Sequence, residues 1–140
     1  MAKSLNRILV SLDGSANSLR GLRFALGVAK QSGSSVIGLN IHLPLASMKT
    51  SSTVRHKVKQ KSKDIIKQAE MMAQNAKVPF SGVNKVSDNV GKTIVTFAEN
   101  HKVDLIVIGT RGPDPEFEIF LGSVANHIIH KSKIPVTIVK

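Results

Sequence analysis

Between Asp104 and Val124 the chain reads D-L-I-V-I-G-T-R-G-P-D-P-E-F-E-I-F-L-G-S-V, with glycines at 109, 112 and 122 and a serine behind the last. Glycine has no Cβ to hold a ligand away from main-chain N–H groups. Where a glycine-rich bend opens a helix, free amides and the helix dipole together favour an anion. The pattern G-x2-G-x9-G-S follows an apolar run, Leu105 to Ile108, and precedes an apolar helical run that starts at Val124. It reads as a phosphate-binding loop. Ile108, Gly109, Gly112, Gly122, Ser123 and Val124 would present main-chain amides and one hydroxyl, and Arg111 a cation. Two glycines three apart occur in ordinary turns; the longer spacing in this setting is far less common by accident.

Other reactive groupings are weak. The chain has no cysteine, which excludes thiol catalysis, a disulfide framework and cysteine-based zinc sites. Val90-Gly91-Lys92-Thr93 imitates the end of a P-loop, but the full motif needs a glycine five residues before Gly91, and Val86 stands there. His127 and His130 share a helical spacing, yet no further metal ligands accompany them. No nucleophile is paired with a base. Asp13, taken alone, is a turn or helix-capping aspartate.

The elements that must hold these residues follow from periodicity. Short buried runs predict strands at about 8–13, 36–42, 80–86, 104–109 and 134–139, the third of them edge-like. Between the first two, Ser15 or Asn17 caps a helix carrying Leu19, Leu22, Ala25, Leu26 and Ala29, which Gly33 stops. A long helix from about Thr53 to Ala76 carries Val54, Val58, Ile65, Ala69, Met72 and Ala76 inward. Asn89 or its neighbours cap a helix with Ile94, Val95, Phe97 and Ala98 buried. The last helix, Ser123 to Ser132, turns Val124, Ile128 and Ile129 inward. Strands alternating with helices predict an α/β domain with a parallel sheet over residues 1–140. Asp13 and Gly109 then close two strands at their carboxyl ends, where open α/β sheets bind ligands.

Composition bounds the partners. The net charge of +11 favours anions in general. No stretch approaches membrane-spanning length, and no signal-like run opens the chain, which predicts a cytoplasmic protein. The cations of the long helix, from Arg55 to Lys67, fall on both sides of its apolar stripe. A solvated surface accounts for them most simply. Nucleic acid or an anionic surface is the sharper alternative, weakened by the absence of interleaved aromatics.

Nearly the whole chain resembles the universal stress proteins. The resemblance rests on the G-x2-G-x9-G-S pattern, on Ile8-Leu9-Val10-Ser11-Leu12-Asp13-Gly14-Ser15 at the front, and on Ile134-Pro135-Val136-Thr137-Ile138-Val139 at the back. That family has ATP-binding and non-binding branches, and the glycine pattern is that of the binding branch. The resemblance implies a doubly wound, Rossmann-like α/β domain, its five-stranded parallel sheet in the order 3-2-1-4-5 with helices on both faces. It implies that Asp13 contacts the nucleoside and that the backbone of Ile41 meets the adenine ring. It further implies ATP as ligand, a homodimer paired through strand 134–139, and a stress-response or regulatory role with at most slow hydrolysis. Two departures stand out. Asp114, Glu116 and Glu118 occupy a spacer that is usually neutral or basic, where they could favour Mg²⁺ beside the nucleotide. Ala125 replaces a frequent hydroxyl residue. A nucleotidyl-transferring enzyme is a further alternative, but H-x-G-H and S-G-G-x-D signatures are absent.

Overall fold

The computed structural model describes residues 4–44, 51–110 and 122–140. Arg111, Gly112 and the acids Asp114, Glu116 and Glu118 lie outside the described residues.

The apolar runs form the strands β1 (Arg7–Ser11), β2 (Ser35–His42), β3 (Phe80–Val86), β4 (Leu105–Gly109) and β5 (Val136–Val139). Between them run the helices α1 (Ala16–Ser32), α2 (Ser52–Ala76), α3 (Val90–Asn100) and α4 (Ser123–Lys131). The strands pair in parallel in the order β3-β2-β1-β4-β5, as expected. Because side chains alternate along a strand, each central strand feeds two cores. Ile8, Val10, Val36 and Val107 pack under α1 and α2, with Leu22, Ala25, Ile66 and Ala69. Leu9, Leu39, Ile106 and Ile108 pack under α3 and α4, with Ile94, Phe97 and Ile128. Buried Asp104 fastens the start of the sheet: its carboxylate accepts the Asn6 and Arg7 amides at 2.8 and 3.1 Å, tying β1 to β4.

The helix starts follow capping chemistry. The Ser15 hydroxyl accepts the Ser18 amide at 3.1 Å, Ser51 accepts from Val54, and Asn89 accepts from Lys92. Ser15 is therefore the cap, and Asn17 lies inside α1. Gly33 ends that helix in the left-handed conformation.

Two helix faces differ from the periodicity. On α2 the buried residues are Ser62, Ile66, Ala69 and Ala73, while Val54 is 41% exposed. Ile65, Met72 and Ala76 are only partly buried against the core, and length explains the exposed Val54. Twenty-five residues of helix span about 37 Å, against about 23 Å for the seven residues of β3. The first turns of α2 therefore outrun the sheet they pack against. On α4 it is Ala125 that turns inward and Ile129 that is 40% exposed, because the helix leans on α3. There Gly91 leaves room for the His127 ring, whose Cβ and Cγ would lie only 3.0 Å from a Cβ at that position.

Candidate functional site

β1 and β4 are adjacent in the sheet, but their connections leave in opposite directions, to β2 and to β5. A parallel sheet opens a crevice at the carboxyl ends of such a pair. Here that crevice is a cavity of about 550 Å³, within the range of small-ligand sites. One wall is the β1–α1 turn with Asp13, Ser15, Asn17 and Ser18. The floor is Ile108, Gly109 and Thr110, and the far wall is Gly122, Ser123, Val124 and Ala125 at the start of α4. Ile41 and Val90 close the apolar side. Every described member of the predicted set, namely Asp13, Ile41, Ile108, Gly109, Gly122, Ser123 and Val124, lines this one cavity. Arg111 and Gly112, also predicted, lie outside the described residues. His42 is not among the lining residues; its Nδ1 lies 3.0 Å from the Leu43 carbonyl.

The amino end of α4 differs from the other three described helix starts. Its cap is Gly122, which offers no side-chain acceptor, whereas α1, α2 and α3 are each capped by their own Ser or Asn. The amides of its first turn are thus left for something else to satisfy, and they border the cavity. This is the arrangement that attracts an anion.

Across the cavity sits Asp13. Its Oδ1 accepts the Ser15 amide at 2.8 Å, folding the turn back on itself. Partial burial pushes its carboxyl up, but the bonds from Ser15 and Ser18 outweigh that and hold it below the ordinary value of 3.8. A carboxylate lowered in the folded state gives stability that is present above its ordinary range and is lost as pH falls through the lowered value. Asp13 is therefore ionised throughout the neutral range and can only accept hydrogen bonds, which suits a ligand that presents donors. The expected result is a stability profile for Asp13→Asn that matches the parent's at acid pH and falls below it above about pH 4. Thermal melting of both proteins between pH 3 and 7 would show it; equal midpoints at pH 7 would deny the carboxylate that role.

Several residues of the site carry no sequence signal. Asn17, Ser18 and Thr110 reach the cavity because α1 starts directly against the end of β4. Arg20 braces that junction, donating to the Asn17 side chain and to the Thr110 carbonyl, the latter at 3.2 Å. Val90 arrives from α3, on another connection altogether. Only Asn89, read as a cap, pointed towards it.

A second cavity, of about 600 Å³, lies at the amino ends of β1 and β4, beside Arg7, Lys102 and Asp104. It is at the end of the sheet away from the loops that bind ligands in open α/β folds. Among the described residues no group of three or more His, Asp or Glu is placed to hold a metal. No described helix is long and apolar enough to cross a membrane.

A doubly wound parallel sheet with a cavity at its switch point belongs to the class of open α/β domains that bind ligands there. The model of the universal stress protein family matches residues 4–140, and the chain belongs to that family. A universal stress protein of Methanocaldococcus jannaschii is 30% identical over 141 residues, covering 96% of this chain and 81% of its own length. Another from Bacillus subtilis is 27% identical over 147 residues, covering 96% and 99%. Among solved structures, a universal stress protein in complex with cAMP has a TM-score of 0.79 at 26% identity, with 99% of each chain covered. One from Archaeoglobus fulgidus in complex with dAMP has a TM-score of 0.72 at 24% identity, covering 99% of this chain and all of that one. A third, from Arabidopsis thaliana with AMP bound, superposes with a TM-score of 0.73 at 17% identity, covering 96% and 91%.

Proposed function

We propose that residues 1–140 form one regulatory, stress-response domain that binds an adenine nucleotide, ATP in the first instance, in the crevice between β1 and β4. One observation carries this: α4 begins without a side-chain cap, and its first residues border the cavity that also holds Asp13. The nucleoside would lie over Ile41 and Val90, with its ribose on Asp13. Phosphates would lie against Gly109, Gly122, Ser123 and Val124, and Arg111 and Gly112 would complete the loop. The adenine nucleotides bound by its structural relatives support the reading. Mg²⁺ would accompany the phosphates only if the acids at 114, 116 and 118 approach them.

The described lining offers hydroxyls and a carboxylate that is held ionised, with no histidine or lysine to activate water. The role is therefore binding, with hydrolysis slow at most. Denaturing the purified protein and identifying what it releases tests the proposal, together with titration by ATP, ADP and AMP. Adenine nucleotide in the released fraction, or saturable binding, is the expected result. Absence of both would overturn it, and fast turnover of Mg²⁺–ATP would overturn the binding-only role.

The same reading gives a homodimer through β5. That strand forms one edge of the sheet, and all four of its residues are half-exposed in the single chain. An open apolar edge invites a second strand. Light scattering should give about twice the 15.1 kDa of one chain; a monomer at high concentration would dismiss the pairing.

A further inference from the structure

The first turns of α2 extend beyond the sheet and are strongly cationic. Residues 52–67 hold six cations, Arg55, Lys57, Lys59, Lys61, Lys63 and Lys67, against one acid, Asp64. All six are exposed, and none makes an ion pair among the described residues; Asp64 instead accepts the Gln60 amide at 3.0 Å. Arg55, Lys59, Lys63 and Lys67 repeat at four-residue intervals, a spacing at which like charges repel along a helix. Lys57 and Lys61 repeat in the same way on the other side. A polyanion would relieve both repulsions at once.

The angular arrangement narrows the choice of polyanion. At about 100° per residue, Lys59 and Lys63 form one flank and Lys57 with Lys61 the other, while Arg55 projects beyond the sheet on the side of the buried Ser62 and Ile66. Between them, on the line facing away from the sheet, stand Thr53, His56 and Gln60, all exposed. A helix with its side chains is about 10–12 Å wide, and the major groove of B-DNA is about 12 Å wide. Cations on both flanks would meet the phosphates on the two groove edges, and the polar line between them would face base edges. Single-stranded nucleic acid fits less well, because α2 has no Phe, Tyr or Trp for bases to stack on. A lipid surface fits less well too, because the only apolar side chains in the projecting turns are Val54 and Val58. A-form RNA presents a major groove too narrow for such a helix.

We propose that residues 52–63 of α2 form a docking surface for duplex DNA. Phosphate contacts dominate it. The net charge of +11 would speed the encounter.

Two variants of equal net charge test this. The first is Arg55→Gln with Lys59→Gln and Lys63→Gln. The second is Lys92→Gln with Lys131→Gln and Lys133→Gln, cations that are exposed on α3 and at the end of α4. Glutamine keeps the helix propensity of lysine, and circular dichroism would confirm both folds. Fluorescence anisotropy with a labelled duplex of about 20 base pairs is read from about 50 to 200 mM salt. The parent should bind, with affinity falling steeply as salt rises. The first variant should lose on the order of a hundredfold at the lowest salt, and its salt slope should be shallower by about 3. The second should lose little. Gly122→Val should bind DNA like the parent, which keeps this result apart from any failure of the nucleotide reading. The proposal is overturned by equal losses in the two charge variants or by no saturable binding to the duplex at low salt. It is also overturned by binding to phosphatidylserine vesicles or duplex RNA as tight as to DNA.

Discussion

Gly122→Val is expected to abolish adenine nucleotide binding, a loss of a hundredfold or more in affinity, while the protein stays folded. Gly122 sits at φ +61° and ψ 155°, in a region open essentially to glycine alone. A Cβ there would meet no atom of the described residues within 4 Å, apart from its chain neighbours. The protein is thus spared a clash, and the cost to the fold is backbone strain of about 1–3 kcal/mol, less than the usual 5–15 kcal/mol of stability. The cost to the ligand is much larger. Valine either keeps the glycine conformation and puts a branched side chain at the cavity wall, or relaxes the backbone and turns the first amides of α4 away. Calorimetric titration with ATP measures it. Affinity equal to the parent's would mean that phosphates do not bind at this turn.

Gly109→Ala should act through the fold. A Cβ on Gly109 would stand 1.8 Å from the Asn17 carbonyl oxygen and 2.5 Å from its carbon. Both are main-chain atoms in the first turn of α1, so no rotamer change can make room. Gly109 has an ordinary backbone conformation. What it supplies is contact distance between the end of β4 and α1, in addition to any amide it offers a phosphate. Forcing a methyl group into such a contact costs about 1–3 kcal/mol, and more where backbone must move. For a chain of 140 residues the melting midpoint should fall by about 5–15 °C. Nucleotide affinity should fall with it, because the same shift carries the Asp13–Ser15 turn. An unchanged midpoint in a thermal melt would show that α1 is not seated on Gly109.

Read from its sequence, Gly109 was one member of a glycine pattern with a single explanation, approach to a ligand. The structure adds a second, and it required knowing that α1 and β4, far apart in the chain, touch. Arg20 and Thr110 carry no signal in the sequence for the same reason, and Asn17 reads there only as a candidate cap. Arg20 looks like any surface cation on a helix until its guanidinium is seen to join Asn17 to the end of β4. Val90 belongs to a third connection, and only the sheet order brings it beside Ile41. The buried face of α2 is rotated from its apolar stripe, leaving Ile65, Met72 and Ala76 at the edge of the core, because packing against the sheet and not the 3.6-residue period decides which side of a helix is covered. Ser62 and Ala73 are buried there and Val54 is not.

What the amino-acid sequence determined by itself is local. It set five strands and their neighbouring helices, through periodicity, and narrowed their ends through capping chemistry, to Ser15 or Asn17, to Gly33, and to Asn89 or its neighbours. The tertiary structure decided which of these local features meet. It set Asp13 opposite Gly122, gave Gly109 to α1, and left the cationic turns of α2 standing clear of the sheet. Those outcomes depend on contacts between residues distant in the chain, and such contacts are fixed by how whole faces pack rather than by any one residue's neighbours.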